Sequence, residues 1–194
     1  MTDTPPREPL RFAEFDTEVG TLSVVTAPGV PGDLPCGDDG PVVASGFRPM
    51  AETLAAVPPA FADPGAEPGE LAGIAAAVRA FAAGDGAAFD AVSVAQVGSD
   101  FTLGVWRAMR AIPAGGAVTY AELAAAAGRP GAARAAGTAC ATNTAAPFVP
   151  CHRVVRVGGA IGQYGYGPAV KQRLLQLEGC RVVDGVVVGA AGAP

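Results

Sequence analysis

Thr119-Tyr120-Ala121-Glu122-Leu123-Ala124-Ala125-Ala126-Ala127, then Gly128-Arg129-Pro130, then Gly131 through Ala141, is the stretch on which the fold of this chain turns. Thr119 with Glu122 is a capping-box pair, in which each side chain satisfies an otherwise unbonded N–H at a helix start. The spacing predicts a helix to about Ala127, a tight turn at 128–130 and a second helix from Gly131 to about Ala141. Two short helices joined by a glycine-containing turn form a helix-turn-helix candidate. The same pattern fits an alanine-rich hairpin in an ordinary core. The second helix is smooth: Ala132, Ala133, Ala135, Ala136, Gly137 and Ala139 are small, and Arg134 stands alone among them. Either this helix packs tightly on another with Arg134 in water, or it presses into a groove with one guanidinium free to reach between stacked bases. Arg129, in the turn, touches either a phosphate or only water.

Nine residues downstream comes Pro150-Cys151-His152-Arg153-Val154, a cysteine directly beside the single histidine of the chain. Proline restricts the residue before it to extended backbone, so Val149 is expected to be extended. A glycine-rich loop follows, with Tyr164 and Tyr166, then Lys171 and Leu174-Leu175-Gln176-Leu177-Glu178-Gly179. A thiol, an imidazole and a carboxylate are the parts needed to make and hold a thiolate. Taken singly each has a plainer reading. A lone histidine beside a carboxylate is more often a structural hydrogen bond, Tyr164 covers a core equally well, and Lys171 and Arg153 read as structural, bonding loop carbonyls.

Upstream, Asp100 is expected to cap a helix through Arg110, with Phe101, Val105, Trp106 and Met109 on one face. Residues 19–27 and 41–47 alternate as strands, and 92–95 reads as a third. Residues 28–41 are a long turn or hairpin loop, 57–69 a proline-rich loop, and 71–83 a helix ended by Gly84-Asp85-Gly86. Residues 1–9 read as a loose tail. This half is a small sheet with a helix and carries no evident chemistry.

Half of the 194 residues are hydrophobic and the net charge is −5. The charge is unevenly spread: residues 1–99 hold four arginines against fourteen acids, while 100–194 hold nine basic residues against four acids. The basic half therefore suits an anionic partner. No run of about eighteen apolar residues is present to span a membrane, and the acidic start is unlike a secretory signal. Cys36, Cys140, Cys151 and Cys180 have no CxxC spacing and one histidine to join them, so no metal site is expected. They read as free thiols in a reducing cytoplasm, with Cys36, Cys140 and Cys180 unreactive.

Thr119 to Ala124, Arg134-Ala135-Ala136-Gly137, Asn143, Pro150 to Val154, Gly162-Gln163-Tyr164, Lys171 and Leu174-Leu175 to Glu178-Gly179 together resemble the O6-alkylguanine-DNA alkyltransferases, also called methylated-DNA–protein-cysteine methyltransferases. The likeness is dense over residues 100–180 and rests only on general layout before that. It implies an N-terminal ribonuclease-H-like α/β domain, residues 1–97, and an all-α C-terminal winged helix-turn-helix domain, residues 98–194. It also implies single-turnover transfer of an alkyl group from O6 of guanine, or O4 of thymine, in double-stranded DNA to Cys151, by a cytoplasmic monomer without a cofactor. On the same basis His152, reached from Cys151 through a water, and Glu178 activate the sulfur. Tyr120 donates a proton to the departing base, and Asn143 ties the second helix to the cysteine loop. Arg134 intercalates, Tyr120 crowds the rotated phosphate and touches the base, Tyr164 packs on the extruded base, and Arg129, Ala135 and Gly137 meet DNA. The chain departs from the family in Asn143-Thr144, where Asn-Pro is frequent, and in the length of loop 28–41. The zinc ligands of the human-type first half are missing. Two other readings remain: a non-catalytic lesion-binding protein of the alkyltransferase-like kind, which lacks the reactive cysteine, and a thiol hydrolase, for which no oxyanion site is evident.

Overall fold

The computed structural model describes residues 8–62 and 65–188. Four strands open the chain: β1 Leu10–Thr17, β2 Gly20–Thr26, β3 Val42–Gly46 and β4 Ala66–Pro68, joined in the order β3-β2-β1-β4. β1 and β2 form a hairpin paired from Arg11↔Thr26 to Thr17↔Gly20, β3 runs antiparallel to β2, and β4 lies parallel to β1. The near-continuous apolar character of β2 and β3 follows from their position: helices or loops cover both faces of the sheet. Leu22, Val24 and Val42 enter one core with Ile74, Val78 and Phe81, while Val25, Val43 and Ala44 enter another with Val57. Alternate residues of a strand point to opposite faces, so one strand serves both cores.

Two helices belong to this half. α1, Met50–Ala55, covers the second core with Met50 and Leu54. α2, Ala72–Ala82, presents Ile74, Val78 and Phe81 to the first. No residue of its own caps α2; instead Asp39, from the long loop, accepts from Gly73 N at 2.7 Å and Ile74 N at 3.3 Å. That loop thus satisfies helix-start N–H groups that would otherwise lack a partner. Several expectations are corrected here. Residues 10–17 and 50–55, unassigned from sequence, form β1 and α1, and the loop 57–69 contains β4. Residues 92–95 make a single bridge, Val42↔Val94, rather than a strand.

The second half begins with α3, Asp100–Arg110, whose cap is Ser99 and not Asp100: the Ser99 side chain accepts from Thr102 N at 3.3 Å. Val105, Trp106 and Met109 are buried and Phe101 half-buried, giving one apolar face. α4, Tyr120–Ala126, carries the expected capping box, with Thr119 N donating to Glu122 Oε2 at 2.6 Å and Glu122 N to Thr119 Oγ1 at 3.2 Å. α5 spans Ala133–Ala141, and Trp106 Nε1 donates to Ala139 O at 2.9 Å, pinning α3 to α5. Ala136 and Ala139 are the buried positions of α5; Arg134 and Ala135 face outward. The helix is smooth because one side packs closely on α3 and α4.

The all-α expectation for this half is not met. β5, Val118–Thr119, pairs parallel with β6, Val154–Val155, and β7, Arg181–Val183, forms a hairpin with β8, Val186–Val188. Asp184 and Gly185 both take positive φ at the hairpin turn, the Asp-Gly signature of a two-residue loop that matches strand twist. The β5–β6 pair positions the site, because it fixes the strand leaving the cysteine segment beside the start of α4. α6, Pro168–Leu177, starts with proline at its first position and buries Lys171, Leu174 and Leu175. Among the described residues no helix is long and apolar enough to cross a membrane.

Candidate active site

Pro150, at φ −82° and ψ 65°, makes an inverse γ-turn closed by Cys151 N to Val149 O at 2.8 Å. A single 3-10 turn, Cys151–Arg153, follows. The segment is therefore coiled rather than extended. Side chains in such a turn diverge by about 120°, so consecutive residues serve different environments. Cys151 lines a cavity of about 410 Å³, while His152 and Arg153 are buried at 0% and 1% exposure. The wall of the cavity also includes Tyr120, Gly137, Asn143, Tyr164 and Tyr166.

Behind the sulfur lies a charged cluster sealed from water. His152 Nε2 meets Glu178 Oε1 at 2.8 Å. Arg153 donates from Nε to Glu178 Oε2 at 2.9 Å, from Nη2 to Glu178 Oε1 at 2.8 Å, and from Nη1 to Ile112 O at 2.6 Å. Asp90 joins from the first half, its Oδ1 2.8 Å from Arg153 Nη2. Burial pushes the Glu178 carboxyl up, but His152 and Arg153 outweigh it and hold the group down at about 2. Arg153 is thus bonded to a loop carbonyl, as expected, and in addition clamps the carboxylate that faces the histidine. Glu178 follows the last turn of α6, where backbone carbonyls disfavour an anion; the Arg153 guanidinium and the His152 contact make its place there tenable. Gly86 permits the close approach of the first half at this point: a Cβ there would sit 2.9 Å from Glu178 Cα. His152 Nδ1 is buried and has no hydrogen-bond partner among the described residues.

Asn143 connects the end of α5 to the cysteine. Its Nδ2 donates to Val149 O at 2.8 Å and to Cys151 Sγ at 3.3 Å. Its Oδ1 accepts from Gln96 Nε2 at 3.0 Å and Ala145 N at 3.1 Å, so every polar atom of the side chain is engaged. Ser45 of β3 grips the next residues, with its N–H on Thr144 O at 2.7 Å and its hydroxyl on Ala146 O at 2.8 Å. Lys171, almost fully buried, donates Nζ to Val154 O at 2.5 Å, and burial lowers its ammonium to about 8.

Burial pushes the Cys151 thiol up from its ordinary value, against the Asn143 hydrogen bond and the Lys171 charge. Burial prevails because a thiolate in this enclosure has few compensating donors. Tyr120, the first residue of α4, and Tyr164 both have phenols raised by burial, so both keep their protons at neutral pH. The Tyr164 hydroxyl is buried close enough to feel the sulfur's charge but makes no hydrogen bond of good geometry. All four cysteines are free; burial raises Cys140 to about 12 and Cys180 to about 11. Among the described residues no group of three or more His, Cys, Asp or Glu could hold a metal ion.

Of the residues singled out from sequence, Cys151, Asn143, Tyr120, Tyr164 and Gly137 converge on the cavity, with His152 and Glu178 in the wall behind. Arg134 and Ala135 lie outside it on the exposed side of α5. Arg129 rests its guanidinium 5.0 Å from the Phe101 ring centroid, a contact within the protein. Sequence reasoning missed Arg48, Cys140 and Tyr166 in the cavity wall and Asp90 on Arg153. Tyr166 was within reach, two residues from Tyr164 in the same glycine loop. Arg48 and Asp90 had no local signal, since only tertiary packing brings them to the site.

A cysteine facing a cavity beside a pair of short helices, with a buried imidazole-carboxylate-guanidinium cluster behind it, defines a candidate thiol site in a protein of mixed sheet and helix. The family described as "6-O-methylguanine DNA methyltransferase, DNA binding domain" matches residues 100–180. The methylated-DNA–protein-cysteine methyltransferase of Mycobacterium bovis is 42% identical over 115 residues, 59% of this chain and 69% of that protein. The protein of that name from Salmonella typhimurium is 45% identical over 97 residues, half of this chain, which spans 57% of that relative's length. The crystal structure of Mycobacterium tuberculosis O6-methylguanine methyltransferase superposes with a TM-score of 0.66 at 29% identity, covering 90% of this chain and 96% of that one. A structure of the M. tuberculosis protein in complex with DNA gives 0.64 at 28% identity, covering 87% and 92%. The chain belongs to the methylated-DNA–protein-cysteine methyltransferase family.

Proposed function

We propose that this protein repairs DNA by direct reversal, moving an alkyl group from O6 of guanine, or O4 of thymine, in double-stranded DNA onto Cys151. The observation that carries the reading is the Cys151 sulfur in the wall of a 410 Å³ cavity, backed by the buried His152-Glu178-Arg153 cluster. The target atom lies inside a paired duplex, so the nucleotide is extruded into the cavity. The Cys151 proton passes through a water to His152 Nδ1, whose other nitrogen is fixed on Glu178; the carboxylate stabilises the imidazolium formed, as in a hydrolytic triad with one water inserted. Sulfur attacks the alkyl carbon, a C–S bond forms, and the C–O6 bond breaks with its electron pair going to the base. Tyr120, kept protonated by burial, supplies the proton that the base takes up. The thioether has no route back to thiol, so each molecule acts once, and the sulfur needs no cofactor.

Asn143 holds the sulfur from the end of α5, which makes the helix that meets DNA and the nucleophile one mechanical unit. Arg134 fills the gap left by the extruded base from the exposed side of α5. Ala135 and Gly137 let that helix approach the minor groove closely, and Arg129 leaves Phe101 for a phosphate. Tyr164 packs on the base; stacking of this kind is worth roughly 1–3 kcal/mol. The first half, residues 1–97, is a ribonuclease-H-like domain, and residues 98–194 are a winged helix-turn-helix domain with the β7–β8 hairpin as its wing. The protein works as a monomer in the cytoplasm. A lesion-binding role without chemistry is not favoured, because the reactive cysteine is in place.

The test is the intact mass of the protein after incubation with a duplex carrying O6-methylguanine. One added methyl group per molecule, on Cys151, is expected. Release of more than one equivalent of repaired base per protein excludes the reading.

A further inference from the structure

Arg48 is the one charged residue in the cavity wall, and it comes from the half of the chain that carries no other part of the proposed chemistry. It follows β3 directly and reaches across to the glycine loop. Its Nη2 donates to Tyr166 Oη at 2.8 Å, and its guanidinium sits 5.2 Å from the Tyr166 ring centroid. Tyr166 Oη in turn donates to Ser45 O at 3.3 Å, and the ring meets Phe47 and Tyr164 edge-on at 5.6 and 5.3 Å. Gly46 makes room for this arrangement: a Cβ there would fall 2.0 Å from Tyr166 Oη. No carboxylate pairs with Arg48 among the described residues, and no acid lines the cavity. The phenol holds the guanidinium in place without neutralising it. An aromatic-braced arginine with donors to spare is a carboxylate receptor, since its planar fork matches two carboxylate oxygens.

We propose that Arg48 is a specificity-determining residue that favours O6 adducts ending in a carboxylate, such as a carboxymethyl group, over neutral adducts of the same size. The inference rests on the reading of Cys151 as the alkyl acceptor. The covalent step is the same one. The sulfur bonds to the methylene carbon of the adduct, the C–O6 bond breaks with its electrons passing to the guanine, and the guanine takes up a proton from Tyr120 while the thiol's proton rests on His152. The product is S-carboxymethyl cysteine. Arg48 bonds the adduct's carboxylate throughout and takes no part in bond making.

The experiment compares two duplexes identical except for the adduct, O6-carboxymethylguanine and its uncharged isostere O6-carbamoylmethylguanine. Transfer rates to the full-length protein are read by intact mass, each divided by the rate of the same adduct with a small free thiol to remove intrinsic reactivity. The corrected carboxymethyl-to-carbamoylmethyl ratio exceeds one in the wild type. It falls about tenfold in Arg48→Gln, the size of one hydrogen bond to a charged group, and by less in Arg48→Lys, which keeps the charge but loses the fork. A wild-type ratio at or below one overturns the proposal even if Arg48→Gln does not fold. An equal loss on both adducts in Arg48→Gln also overturns it, by assigning the guanidinium to DNA phosphate. A parallel O6-methylguanine duplex separates the two readings. No methyl gain in the wild type removes the proposed function itself, whereas methyl gain with an unchanged ratio removes only the role of Arg48.

Discussion

Arg153→Met tests whether the buried cluster is held together by the guanidinium. The substitution keeps an unbranched apolar stem and deletes the fork. Two hydrogen bonds to Glu178 are lost, with one to Ile112 O and the ion pair to Asp90. Glu178 is then a carboxylate with a 1% exposed side chain and His152 alone beside it. Removing one partner of a buried pair costs about 3–5 kcal/mol. Glu178 is held at about 2 against an ordinary 4.5 by His152 first and Arg153 second, so the guanidinium carries only part of that depression. The assay is urea unfolding followed by tryptophan fluorescence, Trp106 being the single tryptophan. With a slope of about 2 kcal/mol per molar, the midpoint at pH 7 drops by roughly 2 M. The sign with pH is also fixed. A depressed carboxyl contributes stability above its unfolded value and loses it as pH falls through its folded value, so the Glu178 contribution disappears between pH 4.5 and about 2. The difference between wild type and Arg153→Met therefore narrows over that interval. A loss below about 1 kcal/mol at pH 7, or a difference that widens on acidification, refutes the reasoning.

Cys151→Ser abolishes the methyl mass gain while leaving the urea midpoint nearly unchanged, and persistent adduct removal by that variant contradicts the assigned acceptor. Asn143→Ala withdraws the donor at 3.3 Å from the sulfur and leaves Val149 O unbonded; the thiol titrates higher in iodoacetamide kinetics and stability falls by about 1–3 kcal/mol. Arg134→Ala slows repair of duplex DNA far more than reaction with free O6-benzylguanine, and equal losses on both remove it from base extrusion. Lys171 is held at about 8 against 10.5, so its charged form is disfavoured by folding; relative to Lys171→Met, the wild type gains up to ~3 kcal/mol as pH rises from 8 to 10.5, measured by urea unfolding at both ends.

The parts nearest one another in the chain were legible in advance because their causes are local. The Thr119–Glu122 capping box, the 128–130 turn and the apolar face of α3 depend on residues within a turn or two, and each lies where spacing placed it. The Cys151-His152 pair and the later Glu178 could be singled out because a thiol, an imidazole and a carboxylate have few reasons to recur in that order. The misses have a common physical origin. β4 is three exposed residues that become a strand only by pairing with β1. β5 and β6 are two residues each, too short for any periodicity. Asp39 caps a helix thirty-four positions away.

Side-chain chemistry and chain order thus singled out the candidate nucleophile, its candidate proton acceptor and the smooth helix, since those are properties of residue type and near spacing. Packing alone settled the rest. Whether the sulfur rests as thiol or anion depends on how much solvent is excluded around it. That Arg153 clamps Glu178, that Asp90 completes the cluster and that Arg48 enters the cavity depend on contacts between elements far apart in the chain. Those contacts exist only once the two halves share one core, because charge acts through distance in space and burial, neither of which is written along the backbone.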